Sequence, residues 1–248
     1  MSNILIIGNG VVGHNLAKEL HLLSPDVYDK YRQEENTKRR ERYDFAFVCV
    51  PTDYRSPDAP CDCTEVENAI NENQADVYII KSAILPGTTD ALREKTGKRI
   101  VVCPEYQGYT RFSTNYQFDY TIVGGPKEDC HAVVQLLYHV YDGRHRFYSV
   151  DAKTAELAKY MENSYLAMKV SFCVQFWDIA NQIGVDYGVL RELFILDPRV
   201  NPAHTLILDD QPYWDSPCLN KDVRAIAETY RADLLESVIR YNEKMKDN

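Results

Sequence analysis

The run ILIIGNGVVG, Ile4 to Gly13, limits the possible folds more than any other stretch of the chain. Four consecutive apolar residues read as a strand covered on both faces. A G-x-G-x-x-G turn follows, and apolar residues at 12, 16, 20 and 23 then recur at helical spacing. Strand, glycine turn and helix in this order open a doubly wound sheet. Further apolar runs continue the pattern at 26–29, 44–50, 76–82, 99–103, 120–125 and 145–150, with helical stretches at 63–73, 86–96 and 126–141. The alternation predicts an α/β fold, a Rossmann-type doubly wound and mostly parallel sheet.

The texture changes at Asp151. From there to Gln182 the chain has neither Gly nor Pro, which predicts one long helix. Further helices are expected over 189–196, 221–230 and 232–246, with an irregular linker carrying Pro198, Pro202, Pro212 and Pro217. The expected organisation is a nucleotide-binding domain over 1–150 and an all-helical domain over 151–248. Apolar residues of the long helix (Leu157, Tyr160, Leu166, Val170, Phe172, Phe176, Trp177) cover more than one face. Either a second copy covers the surplus, giving a homodimer, or the C-terminal helices do.

The glycine turn has a specific physical use. Gly8 permits the tight turn, Gly10 lets backbone approach a pyrophosphate, and Gly13 allows close packing of helix on strand. The cradle residues are therefore Gly8, Asn9, Gly10, Val11, Val12 and Gly13, with helix N–H groups facing the phosphates. Asp29 ends the second strand about 20 residues on, where a carboxylate meets the ribose hydroxyls. It favours NAD over NADP, a preference that the neighbouring Lys30 and Arg32 weaken.

Composition narrows the partners. With 28 basic and 37 acidic residues the net charge is −9, so there is no general attraction for nucleic-acid phosphates. The basic patch KRRER, Lys38 to Arg42, reads as a solvated face. Seven cysteines are scattered along the chain, and the C-x-C pair Cys61 and Cys63 lacks the further ligands of a metal site. The pattern fits a reducing compartment without disulfides. No leader precedes the first strand and no apolar run approaches membrane length. The expectation is a soluble cytoplasmic protein with no membrane, nucleic-acid or metal partner.

Several polar residues fall where strands end. VPTD (Val50 to Asp53) and KSAILPGTT (Lys81 to Thr89) lie at carboxyl edges, where ligands of open α/β sheets sit. Thr52 and Ser82 there are either helix caps or cofactor neighbours. Glu105, in PEYQ, is either solvated or functional. Lys159 and Asn163, four apart, share a helix face and either stabilise an oxyanion or lie idle. Cys218 and Asp222 are also four apart at a helix start, where the dipole lowers a thiol pKa; a cysteine there is equally able to be structural.

Taken together, GNGVVG, VPTD, KSAILPGTT, PEYQ, AELAKYMENSYLAMKVSF and CLNKD resemble, in order, the UDP-glucose/GDP-mannose dehydrogenase family. The resemblance implies NAD-dependent oxidation of a sugar-nucleotide primary alcohol to a carboxylate. It implies Cys218 as the nucleophile of a thiohemiacetal and thioester, with Asp222 as its acid/base or water-orienting neighbour. Lys159 and Asn163 stabilise the oxyanions, and Glu105 assists thioester hydrolysis. Thr52, Ser82, Ala83 and Lys221 lie against the cofactor. The central helical region is the family's dimer interface.

The chain departs from the family pattern at definite places. Ala83 stands for a threonine whose hydroxyl helps to hold the catalytic water. Tyr109 stands for a second glutamate, Asp215-Ser216 for a glycine pair, and Asn220 for the proline of CxPKD. The sequence ends where the family's second nucleotide-binding domain begins, a loss expected to lower rate as well as affinity. Three readings follow: a dehydrogenase of this type acting on a sugar nucleotide or a related sugar, one stopping at the aldehyde, or a non-catalytic NAD-binding or dimeric interaction protein.

Overall fold

The structure, a computed structural model, describes residues 2–37, 40–106 and 118–247. Among the described residues seven strands, β1 (Ile4–Ile7), β2 (Asp26–Tyr28), β3 (Tyr43–Val48), β4 (Ala75–Ile80), β5 (Ile100–Val102), β6 (Tyr120–Gly124) and β7 (Arg146–Val150), form one sheet. Their order is β2-β1-β3-β4-β5-β6-β7. Every pairing is parallel except β5 with β6, which meet antiparallel at Val102 and Gly124. The mostly parallel doubly wound sheet expected from the alternation is thus present.

Burial on both faces explains the continuous apolar runs. Ile4 and Ile6 point into a cluster closed by Leu16 and Leu20 and by Val133, Leu136 and Leu137. These come from helices α1 (Val11–Glu19) and α4 (Lys127–Leu137) and the turn after α1. Leu5 and Ile7 point the other way, onto Val66 and Ile70 of α2 (Thr64–Glu72), Leu92 of α3 (Thr88–Thr96), and Ala152 and Ala155. The first helix is shorter than its apolar periodicity suggests. It stops at Glu19, and a 3-10 turn over His21–Leu23 finishes the run before Ser24 turns left-handed at φ 49°.

The chain divides into two compact units, Met1–Asp53 with Cys61–Lys159, and Tyr54–Pro60 with Tyr160–Asn248. The long helix α5 (Ala152–Ile183) begins in the first and ends in the second. Asp151 caps it, its carboxylate accepting from the Thr154 N–H at 2.9 Å and the Thr154 hydroxyl at 2.6 Å. Three more helices follow, α6 (Tyr187–Phe194), α7 (Pro217–Tyr230) and α8 (Asp233–Lys246). α6 starts two residues before the apolar pattern because Asp186 accepts from the Val189 N–H at 3.1 Å. In the second unit Ala167 of α5 packs with Trp214, Leu219, Val223, Ala227, Val238 and Ile239. Among the described residues no helix is long and apolar enough to cross a membrane.

One apolar stripe of α5 stays uncovered. Leu157, Met161, Tyr165, Phe172, Phe176, Ile179 and Ile183 recur at helical spacing and are all exposed. Tyr160, one of the sequence's surplus residues, is instead buried to 1% exposure.

The first turns of α5 are fixed by a buried carboxylate. Glu156 is 1% exposed, and its two oxygens accept from the N–H groups of Gly87 at 2.6 Å and Thr89 at 2.8 Å. Those donors open α3, so the carboxylate meets a positive helix end. Burial nevertheless pushes the Glu156 carboxyl above the usual carboxylate range. The fold therefore holds this proton more tightly than the unfolded chain, and the group's contribution to stability falls as pH rises above its ordinary value of 4.5. Glu156→Ala, which strands two donors, is expected to cost about 2–4 kcal/mol in urea denaturation. Glu156→Gln, mimicking the protonated acid, is expected to flatten the loss of stability with rising pH; an unchanged pH slope would refute the assignment.

Candidate functional site

The cradle forms where the sequence puts it. Gly8 has φ 92°, and a Cβ built there would stand 2.5 Å from the Cys49 carbonyl oxygen. At Gly13 a Cβ would fall 1.8 Å from the Gly8 carbonyl oxygen, so the helix packs on the turn only without a side chain. At Gly10 a Cβ would meet nothing within 4 Å. Backbone is therefore bare on the side where α1 begins, beside the exposed Val11 and the half-buried Val12.

Asp29 ties the second strand to this turn. Its carboxylate accepts from the Asn9 N–H at 2.7 Å and the Tyr31 N–H at 2.8 Å. Arg32 donates to the Asn9 carbonyl at 3.1 Å, and the Asn9 amide donates to Glu35. Glu35 is a neighbour that sequence spacing did not reveal, because it reaches the turn through a 3-10 segment, Gln33–Glu35. It adds negative charge beside Asp29. Lys30 instead pairs with Glu65.

At the carboxyl edge of β3 and β4 a backbone lattice holds the motif residues. The Thr52 hydroxyl donates to the Ala83 carbonyl at 2.7 Å, and the Ser82 hydroxyl donates to the Val50 carbonyl at 2.6 Å. Both side chains thus brace one loop against the other. Lys81, 9% exposed, lies 3.2 Å from Glu105 and 3.7 Å from the Cys103 sulfur. The neighbouring Cys103, Glu105, Tyr141 and Glu19 raise the Lys81 pKa well above its ordinary value despite desolvation, so the ammonium stays charged. Glu105 also accepts from the Tyr106 N–H at 3.0 Å. A polar cavity of about 40 Å³ beside it is lined by Lys81, Glu105, Glu19, Tyr141 and His145, room for a few waters. Lys159 places its ammonium 4.7 Å from the Tyr106 ring centroid. Tyr109 lies outside the described residues, as do Lys38 and Arg39 of the basic patch; Arg40 and Arg42 pair with Asp26 and Asp76.

In the second unit Asn163, 4% exposed, donates to the Asp222 carboxylate at 2.6 Å, and Lys221 reaches its other oxygen at 2.5 Å. Asp222 is 1% exposed, so this amide and ammonium replace its lost hydration. Cys218 lies one turn earlier on α7 and is exposed. The helix starts before Cys218 because Ser216 accepts from the Leu219 N–H at 3.2 Å and Pro217 takes the first helical position. Asp215 accepts from the Asn220 amide at 2.8 Å and from Lys246 at 3.0 Å.

The sheet and glycine cradle define a Rossmann-type dinucleotide-binding protein. Bare backbone at Gly10, the free helix start and the Asp29 carboxylate suit the pyrophosphate and ribose of NAD. Comparison with known proteins narrows the class. Residues 153–244 match the central domain of the UDP-glucose/GDP-mannose dehydrogenase family. UDP-N-acetyl-D-mannosamine dehydrogenase of Methanocaldococcus jannaschii is 30% identical over 83% of this chain and 49% of its own. GDP-mannose 6-dehydrogenase of Pseudomonas syringae pv. tomato is 27% identical over 83% and 52%. Among solved structures, UDP-D-ManNAc dehydrogenase of Pyrococcus horikoshii superposes with a TM-score of 0.80 at 24% identity, over 98% of this chain and 68% of its own. The chain belongs to the UDP-glucose/GDP-mannose dehydrogenase family, whose cofactor is NAD. It spans about half the length of the curated relatives it matches.

Two departures from the family pattern prove to be partners. Asp215 stands where the resemblance implies a glycine and Asn220 where it implies a proline, and the two side chains bond each other across the first turn of α7. Together with the Ser216 cap they fix the start of the helix. A double-mutant cycle with Asp215→Ala and Asn220→Ala is expected to return a coupling of about 0.5–1 kcal/mol in thermal or urea unfolding. Additive effects would mean that the contact contributes nothing.

Proposed function

We propose that the chain is an NAD-dependent dehydrogenase that oxidises the primary alcohol of a sugar nucleotide, or of a related sugar, toward the carboxylate. The observation that carries the proposal is the joint presence of the cradle with Asp29 and of the Asn163–Asp222–Lys221 cluster one helical turn from the exposed Cys218. The names of the relatives agree, each being a dehydrogenase of a UDP- or GDP-linked sugar. In this reading residues 1–150 bind the cofactor and residues 151–248 form a helical domain of catalysis and dimerisation. Gly8 to Gly13, Asp29, Lys30, Thr52, Ser82, Ala83 and Lys221 hold NAD, which supplies the two-electron acceptor for each oxidation.

The protein's own groups have separable tasks. Lys159 and Asn163 stabilise negative charge on the substrate oxygen as the alcohol proton leaves, and again when Cys218 adds to the aldehyde carbon. The Cys218 sulfur forms the C–S bond of the thiohemiacetal and, after the second oxidation, of the thioester. Asp222 orients Asn163 and serves as proton acceptor or water-orienting group near the sulfur. Glu105, beside a cavity with room for water, directs the hydrolysis that restores the thiol.

A second reading has support of its own. Glu105 is paired with Lys81, and Ala83 offers no hydroxyl to water; both weaken thioester hydrolysis, so repeated turnover then requires that the aldehyde leave before Cys218 adds to it. A panel of UDP- and GDP-sugars and free sugars, followed by NADH formation, decides between them: two NADH per substrate for the carboxylate, one for the aldehyde. Cys218→Ala is expected to lower carboxylate formation by on the order of a thousandfold or more. A wild-type chain that binds NAD yet oxidises nothing would favour a non-catalytic binding role.

The protein is proposed to be a cytoplasmic homodimer, its interface the exposed stripe from Leu157 to Ile183. Sedimentation is expected to give twice the monomer mass, and Phe172→Lys to shift the population toward monomer. A wild-type chain that sediments as a monomer at micromolar concentration would overturn the dimer.

A further inference from the structure

Cys61 and Cys63 have no task in the proposed reaction, yet their placement is specific. Their sulfurs lie 3.7 Å apart, both residues half-buried, on the turn that leads into α2. The turn is pinned at Asp62, whose N–H donates to the Asp53 carbonyl at 2.9 Å and whose carboxylate accepts from the Thr64 N–H at 3.0 Å. The Cys61 thiol is aimed at the Ala83 carbonyl, 3.9 Å away, which already accepts from Thr52. Two residues so spaced are separated by at most about 7 Å between Cα atoms, within the reach of a disulfide. The sulfurs need to close to about 2.05 Å, a movement that side-chain rotation supplies. Of the other cysteines, Cys49, Cys103, Cys130 and Cys173 are buried.

We propose that Cys61 and Cys63 are a redox-active dithiol that closes reversibly to a disulfide by exchange with a low-molecular-weight disulfide. One protein thiolate attacks a sulfur of the external disulfide, whose S–S bond breaks and expels one thiolate. The second protein thiolate then attacks the protein sulfur of this mixed disulfide, forming the Cys61–Cys63 bond and expelling the other external thiolate. Two electrons pass from the protein to the external disulfide, and the two thiol protons go to the released thiols. Hydrogen bonding to Cys61 and then burial push the Cys63 thiol up, so its sulfur rests as the neutral thiol and loses its proton before it attacks. So short a loop gains little closure stabilisation, which keeps the bond exchangeable. Closure withdraws the Cys61 donor from Ala83, so the redox state of the pair acts on the loop that Thr52 braces.

The test needs neither NAD nor activity, so its outcome is independent of the proposed function. The full chain is equilibrated in glutathione buffers of increasing oxidation, quenched with iodoacetamide and digested with trypsin. The peptide Ser56 to Lys81 carries these two cysteines and no other. It is expected to pass from doubly alkylated to unalkylated and lighter by two hydrogens, and to return on adding dithiothreitol. The urea-unfolded chain is expected to need a more oxidising buffer. In Cys61→Ser and Cys63→Ser the remaining sulfur is expected to hold glutathione instead. A wild-type peptide that stays doubly alkylated, one that keeps glutathione on a single sulfur, or equal midpoints for folded and unfolded chain would each overturn the proposal.

Discussion

The contact on which the rest of the first unit depends is the buried carboxylate of Glu156 against the opening N–H groups of α3. A helix as long as α5 has no reason of its own to stop sliding along a sheet. Two charge-assisted bonds to fixed backbone donors set its register and rotation at the first turns. Lys159 then falls beside Tyr106, and Ala155 beside Gly124, where a Cβ on the strand would stand 2.5 Å from the alanine methyl. The same carboxylate braces the PGTT turn, so a motif that reads as a loop at a strand edge is tied to the helix in which the family match begins. The cost is desolvation of a charge, visible in the raised Glu156 pKa, and the helix end offsets it only in part.

The fold was legible in the sequence because its signals are local. Alternating orientation along Ile4 to Ile7 feeds two separate cores, and continuous apolar runs follow directly from that. Gly8 and Gly13 announce themselves through spacing, and the structure gives steric reasons for each. Helix ends were less legible where side chains decide them: Asp186 starts α6 and Ser216 starts α7 ahead of their apolar patterns. Residues that reach the site over long sequence separations were hidden altogether. Glu35 meets Asn9 and Glu156 meets Gly87 through the fold, and no periodicity carries either pairing. The spacing of Lys159 and Asn163 placed them on one helix face but said nothing of their partners, Tyr106 and Asp222.

The loop before Cys218 shows how a departure from a family pattern can be ordered. Asp215, Ser216 and Asn220 each look like losses from the family pattern when taken singly. Their contacts form one device: a serine cap, a proline at the first helical position, and an aspartate bonded to both Asn220 and Lys246. Such a start favours one backbone conformation where glycine allows many. Cys218, in the first turn of this helix, therefore sits on backbone that these contacts fix.

That rigidity bears on chemistry through Asp222. A loop that closes over its substrate can bring a cysteine and its partners together at the moment of binding, drawing on binding energy to do so. Here Asp222 is already engaged on both oxygens, by Asn163 and by Lys221, and it is buried. The cluster is thus assembled in advance, and binding energy is not needed to order it. Under the proposed function, preorganisation of this kind leaves more of a substrate's binding energy to affinity, since less is consumed in arranging the site. Under that function it also narrows what the site accepts, because a capped helix start has fewer conformations to adopt around a substrate.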